Sequence, residues 1–232
     1  MENSNLNFQY IYHSGFSVET EQNLFIFDYY QGSVDLKDKN IYVFSSHVHS
    51  DHYNPHFFEW QKERPNIQYI LSSDIEGDPS IPQKKDNITF ISPYEEISVN
   101  DITIKAYNST DEGVSFLVQS DRTHIFHAGD LNWWYWSGDP QAEIEKAERM
   151  FKDEILKIKG EDIDIAFFPV DPRLEQYDSI GAEYFIREIK PRVLVPMHFG
   201  DDFITPRKFA DKMKDCPTQI IEITHRGQKF SL

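Results

Sequence analysis

The sequence has one cysteine, Cys216, so no disulfide can form within the chain. Set beside Pro217, between a helical pattern and a strand, Cys216 reads as a small packing residue. No apolar run approaches the ~18 residues that a membrane-spanning helix needs. The opening stretch, residues 1–8, has neither a basic region nor an apolar segment of the kind that targets a chain for export, and the cytoplasm is the expected location. Basic residues are scarce, 23 against 39 acidic, for a net charge of −16. Such a field repels polyanions unless a local basic patch overrides it, which argues against nucleic acid as substrate. Also missing are a serine nucleophile elbow, a P-loop, a dinucleotide-binding glycine fingerprint, any short-period repeat and any low-complexity linker.

What is present describes a folded chain. Hydrophobic residues make up 39% and aromatic residues 15% of 232 positions, enough to build a full core and to exclude a charge-swollen disordered chain. One domain over residues 1–232 is expected. Strand patterns occupy 8–13, 16–19, 24–28 and 41–45. Asn54-Pro55 then offers a cap and first-turn proline for a helix to about residue 62, and 67–72 returns to strand. The acidic stretch 74–85 reads as a mobile surface loop. A second strand block covers 88–91, 102–106, 114–118 and 124–127. After it, Asp139-Pro140 opens a helix carrying Ile144, Ala147, Phe151, Ile155 and Ile158 on one face and ending at Gly160. The remainder alternates: strand 163–169, helix 179–190, strand 193–196, helix 206–214, strand 219–223. Two strand blocks, each followed by helices, predict an α/β (α+β) fold: a four-layered αββα sandwich of two mixed β-sheets with helices on the outer faces.

The densest chemistry lies in His47-Val48-His49-Ser50-Asp51-His52, where three imidazoles and a carboxylate fall within six residues. Left solvated and without a ligand, these histidines would repel one another on protonation. While the segment stays extended, His47, His49 and Asp51 project to one side and His52 to the other. His47 and His49 can then chelate one ion, and Asp51 with His52 can reach a second beside it. Imidazole nitrogen with carboxylate oxygen suits Zn²⁺, with Mn²⁺ or Fe²⁺ as substitutes, and two divalent ions are expected.

The run Ser45-Ser46-His47-Val48-His49-Ser50-Asp51-His52 resembles the signature motif of the metallo-β-lactamase fold superfamily. The resemblance implies roles further along the chain: Asp28 braces the metal loop, Asp130 in His127-Ala128-Gly129-Asp130 bridges the metals, and His198 in Pro196-Met197-His198-Phe199 completes the second site. That ending, with Tyr12-His13-Ser14-Gly15-Phe16, is more similar to the ascorbate-6-phosphate lactonase-like branch than to the antibiotic-degrading enzymes. The chain departs from the family pattern in one respect. The region expected to give a third histidine to the first metal reads Ala106-Tyr107-Asn108-Ser109-Thr110-Asp111-Glu112-Gly113. Asp111 or an added water is the preferred substitute, His127 an alternative, and a weak first site with one tight metal a third outcome. His13, at a strand end, is a candidate to support the metal ligands, while His56, His124 and His225 read as surface or satisfied side chains. Trp133, Trp134 and Trp136 directly follow Asp130 and are expected to wall the substrate pocket.

Water bound to such a site has a pKa lowered toward ~7, and the hydroxide so formed can attack a carbonyl or phosphorus centre. Asp51 is the expected general base or orienting group. The implied activity is metal-dependent hydrolysis of a small-molecule ester, lactone or phosphodiester. The alternatives are an RNA phosphodiesterase and a non-catalytic metal-binding or ligand-sensing protein with an incomplete first site.

Overall fold

A computed structural model describes residues 6–84 and 86–232; the expected targeting-free start at residues 1–5 and the end of the 74–85 stretch at Lys85 lie outside them. The described chain gathers into two compact units, one made of the residues up to Ser92 together with His225–Leu232, the other of Pro93–Thr224.

The first unit is a seven-stranded mixed sheet in the order β14-β1-β2-β3-β4-β5-β6. Its strands are β1 (Asn7–Tyr12), β2 (Gly15–Glu19), β3 (Asn23–Phe27), β4 (Asn40–Ser45), β5 (Gln68–Ser72), β6 (Ile88–Ile91) and β14 (Lys229–Ser231). β14, β1, β2 and β3 pair antiparallel, and β3 to β6 pair parallel. The central strands are buried on both faces, which is why Asn23–Phe27 reads as a continuous apolar run rather than an alternation. One face packs Ile26, Val43, Tyr69 and Leu71 in a single cluster with Phe57. Rings of Phe25, Tyr42, Phe27 and Phe44 stack in cross-strand pairs. The β1–β2 turn is tight enough to require glycine at position 15, where a Cβ would come within 2.9 Å of Tyr12 O and 3.1 Å of Asp28 O.

The second unit repeats this plan. Its order is β13-β12-β11-β10-β9-β8-β7, from β7 (Glu96–Val99), β8 (Ile102–Asn108), β9 (Val114–Ser120), β10 (Thr123–His127), β11 (Ile165–Pro169), β12 (Val193–Met197) and β13 (Gln219–Ile220). Again an antiparallel meander, β8-β9-β10, runs into three parallel strands, with a short strand flanking the meander. Three α-helices belong to this unit, α1 (Gln141–Ile158), α2 (Ile180–Ile189) and α3 (Ile204–Lys212), with a 3-10 segment at Pro172–Tyr177. The periodicity that predicted α1 is its packing face, with Ile144, Phe151, Ile155 and Ile158 all buried. Gly181, in the first turn of α2, lets that helix press on the segment after Asp130. A Cβ there would lie 2.1 Å from Asn132 Oδ1 and 3.0 Å from Trp133 N. Gly181→Ala is therefore expected to destabilise the fold by about 1–3 kcal/mol through overpacking, which a denaturant midpoint would register.

Three expectations are corrected. The strand at 88–91, read as the start of the second block, is β6 of the first sheet, where it pairs parallel with β5. The helix expected from Asn54-Pro55 is a 3-10 segment, Pro55–Lys62, capped by Asn54 Oδ1, which accepts the His56 amide at 3.0 Å. Phe57 and Trp60, three apart, share an edge when there are three residues per turn, and Phe57 packs on Tyr69 while Trp60 packs on Tyr29. Among its described residues the first unit thus has no α-helix. The stretch from 74 is tied down rather than loose: Asp74 Oδ2 accepts the Val48 amide at 2.9 Å, and Ser80 Oγ meets Tyr53 Oη at 2.7 Å. No helix among the described residues is long and apolar enough to cross a membrane.

In parallel sheets, functional groups collect beyond the carboxyl ends of the strands, and register makes those ends level here. Phe27 pairs with Phe44, and Asp28 donates its amide to Phe44 O at 2.9 Å, so Asp28 sits beside Ser46. In the other unit Pro169 pairs with Met197, and Val170 donates to Met197 O at 2.9 Å, so Asp171 and His198 lie abreast.

Candidate metal centre

In the first unit, the buried carboxylate of Asp28 organises the histidine-rich loop. Oδ1 accepts the Ser46 amide (2.8 Å), and Oδ2 accepts the Ser46 hydroxyl (2.7 Å) and faces His52 Nδ1 at 2.7 Å. With Nδ1–H donating to the carboxylate, Nε2 of His52 carries the lone pair that a metal takes. Ser46 Oγ also lies 3.0 Å from His47 Nδ1, so one serine bridges the brace and the first histidine. The loop is not extended. His52 and Tyr53 both donate amides to His49 O, at 3.0 and 2.9 Å, and this turn overrides the alternation expected from sequence. Instead of facing opposite ways, the His47 and His52 rings approach to 4.2 Å between centroids, with the His49 ring 4.7 Å from that of His47. Asp51, His52 and His13 place ligand atoms within 4.8 Å of one another. His13 Nε2 lies 3.4 Å from Asp51 Oδ2. That hydrogen bond, opposed by burial and reinforced by the field of His52, holds the Asp51 carboxyl well below the usual carboxylate range. His13 and Asp28 both sit at positive φ, 58° and 45°, a backbone cost borne at the site.

The second unit carries a matching pair. His198, at φ 69°, sets Nδ1 3.0 Å from Asp171 Oδ2 and Nε2 3.3 Å from Asp130 Oδ1. Asp171 is completely buried, which pushes its carboxyl up, but hydrogen bonds from His198 and Arg173 outweigh this and hold it below the usual range. Asp130 follows β10 through Gly129 (φ 53°), and its backbone carbonyl accepts Trp134 Nε1 at 3.1 Å. Thr110 fastens the loop that lacks the third histidine: Oγ1 donates to Asn132 O (2.6 Å) and accepts the Asn132 amide (2.9 Å). This brings a carboxylate oxygen of Asp111 within 4.8 Å of one from Asp130. His127 goes elsewhere. It is fully buried, its Nδ1 accepts the Gly129 amide at 3.2 Å, its ring lies against Phe167, and it joins none of the candidate ligand groups among the described residues.

The tryptophans divide. Trp134 stands edge-on to His198 at 5.7 Å, and Trp136 stacks parallel to Trp134 at 6.1 Å. Both line a cleft of about 240 Å³ with Thr110 and Asn132. Trp133, expected on the same wall, instead stacks on Phe151 of α1 and meets Tyr184 of α2, with Lys152 Nζ 4.6 Å above its ring. Successive residues of this extended segment serve different neighbours.

Residues 7–198 match the family described as Beta-lactamase superfamily domain. The chain belongs to that superfamily. The match crosses both units, and the two mixed sheets are those of the metallo-β-lactamase fold; groups of His and Asp that could hold a metal stand just beyond their strand ends. It is 24% identical over 198 residues to a UPF0173 protein of Pyrococcus abyssi, covering 81% of this chain and 80% of the relative. Its structure is similar to that of Igni18, described as a novel metallo hydrolase from Ignicoccus hospitalis, with a TM-score of 0.71, 17% identity and 99% of each chain covered. It also resembles the metallo-beta-lactamase fold protein YhfI of Bacillus subtilis, with a TM-score of 0.66, 13% identity, and 99% of this chain and 100% of that one covered.

Sequence reasoning missed Asp171 and Asp74. Asp171 precedes Pro172 and accepts the Arg173 amide as an ordinary helix cap would, so its local pattern is explained without His198. The available signal was its place just beyond a parallel strand, the position Asp28 occupies in the other sheet.

Proposed function

We propose that this superfamily member is a metal-dependent hydrolase of a small-molecule ester, lactone or phosphodiester. His47, His49, Asp51, His52, Asp130 and His198 would serve as ligands to two divalent ions, zinc first, with manganese or iron as substitutes. The observation that carries this reading is the twice-built carboxylate–imidazole pair, Asp28 with His52 and Asp171 with His198. Each engages Nδ1, so that Nε2 carries the lone pair a cation would take, the construction that orients metal-binding histidines. The donor set, imidazole nitrogen and carboxylate oxygen, fits a borderline divalent ion. Asp111, beside Asp130 in its own unit, is the natural replacement for the absent third histidine.

When bound, the ions supply Lewis acidity and make a coordinated water more acidic. The chain's own part begins with Asp51, which stays ionised and, held by His13, is placed to accept the proton of the attacking water. Asp28 and Asp171 keep the imidazoles in the right tautomer. Trp134 and Trp136 exclude water on one side and give an apolar surface to the substrate. The stretches Tyr12–Phe16 and Pro196–Phe199 support a place near the ascorbate-6-phosphate lactonase-like branch, acting in the cytoplasm as a single domain.

The test is a screen of chromogenic esters, lactones and phosphodiesters with zinc-, manganese- and iron-loaded protein, beside a structured RNA. Metal-dependent turnover of a small substrate, lost on chelation and regained on reloading, is expected. Cleavage of RNA alone would replace this reading with a nuclease, and bound metal with no turnover would favour a ligand-sensing protein.

A further inference from the structure

Arg173 is not needed to satisfy the carboxylate that it grips. In the first unit, Asp28 makes the same contact with a histidine and fills its remaining capacity with the amide and hydroxyl of Ser46. In the second unit, that capacity goes to a guanidinium: Arg173 Nε lies 3.0 and 2.9 Å from the two Asp171 oxygens, and Nη2 lies 2.5 Å from Oδ2. A serine would have sufficed, so the cation supplies something more. The Arg173 side chain is 57% exposed, and its guanidinium carbon lies 5.8 Å from the centre of the Trp136 ring. Trp136 stacks on Trp134, Trp134 stands against His198, and Nη2 of Arg173 is 3.3 Å from Nδ1 of the same histidine. These contacts close a circuit, so a solvent-facing guanidinium, ion-paired with Asp171, borders the proposed metal ligand in a chain of net charge −16.

The loop carrying Arg173 is itself held in shape. Glu175 adopts φ 57° and ψ −117°, a strained conformation, Tyr177 lies 3.8 Å from Tyr135 between ring centres, and Glu175 Oε2 accepts the Ser137 hydroxyl at 3.4 Å. Strain retained by cross-loop contacts is the mark of a pre-organised binding element.

We propose that Arg173 and Trp136 receive an anionic oxygen-bearing group of the substrate, a carboxylate or a phosphate, distinct from the bond that is cleaved. The guanidinium offers planar, charge-assisted hydrogen bonds to such a group, and the indole packs beside it. This deepens the hydrolase reading by naming the substrate class, and rests on that reading for the identity of the site.

The experiment measures binding of phenyl phosphate, phenylacetate and neutral benzyl alcohol to metal-loaded wild type, Arg173→Gln and Arg173→Lys. Calorimetry is the readout, with metal content determined on the same samples. Wild type is expected to prefer the anions. Arg173→Gln should weaken anion binding by about tenfold or more, the scale of one charge-assisted hydrogen bond, while benzyl alcohol changes by less than about threefold and metal content holds. Arg173→Lys should keep part of the preference because charge remains while the fork is lost. The better-bound anion identifies carboxylate or phosphate as the source. Equal weakening of charged and neutral probes, no preference for anions in wild type, or loss of metal from Arg173→Gln would overturn the proposal, leaving Arg173 as a prop for Asp171. Arg173-dependent anion binding without hydrolysis of any ester would uphold the anion site and refute the hydrolase.

Discussion

Asp51→Asn is expected to lower turnover by about 10²–10⁴-fold, the usual contribution of a positioned acid–base group, while the fold and most of the bound metal persist. Asparagine keeps an oxygen where His13 can donate to it but removes the charge that accepts a proton. Because the folded-state pKa of Asp51 is depressed, its ionised form and the stability it contributes are present above the ordinary carboxylate range. They are lost only as pH falls through the lower folded value. Between pH 5 and 8 Asp51 therefore stays charged, and any acid limb in wild-type activity in that window must come from other groups. Wild-type turnover in Asp51→Asn, on a substrate that the metal-loaded protein hydrolyses, would place the chemistry elsewhere.

Asp28→Asn should be the most damaging change that replaces no proposed metal ligand. The carboxylate is fully buried and takes two hydrogen bonds from Ser46 and one from His52, and an amide in its place presents a donor where an acceptor is needed. Metal affinity should fall 10–100-fold because His52 loses its fixed tautomer. Stability should fall by about 1–3 kcal/mol from the unsatisfied buried group, a drop of roughly 2–4 °C in Tm per kcal/mol for a chain of this size. Ser46→Ala, which removes only the hydroxyl, should cost about 1 kcal/mol and little metal affinity. Equal metal affinity in Asp28→Asn and wild type would show that the brace does not act on His52.

Much of this arrangement was legible because it depends on local patterns. The strand runs that end at Asp28, at Ser45 and just before Asp130 and His198 are apolar and bounded by turn residues, so the strand ends and the residues after them could be placed in one dimension. The two strand blocks announced two sheets, but not the boundary between them, since 88–91 pairs with β5 of the first sheet. The turn after Ser46 was not legible, since Ser50-Asp51-His52 permits either an extended or a turned chain, and the hydrogen bonds to His49 O decide for the turn. Two short strands escaped notice for the same reason of length. β14 has three residues, and β7 has four, turned into β8 at Asn100 with φ 54°. The repeated meander-then-parallel plan leaves no short-period trace in sequence because topology constrains only burial pattern, which many apolar sequences satisfy. The segment Trp133–Trp136 shows the limit most clearly: three tryptophans beside a proposed ligand suggested one wall, but only packing against α1 and α2 could turn Trp133 toward those helices and leave Trp134 with Trp136 at the cleft.

The central claim is that the histidines proposed as ligands in each unit hold metal. It is tested most directly by counting metal per chain, by elemental analysis after equilibration with zinc, in wild type, His52→Ala and His198→Ala, with circular dichroism on the same samples. The account predicts two equivalents in wild type and the loss of about one in each variant, with the fold retained because the sheets supply most of the stability. Full metal retention in both folded variants would contradict it.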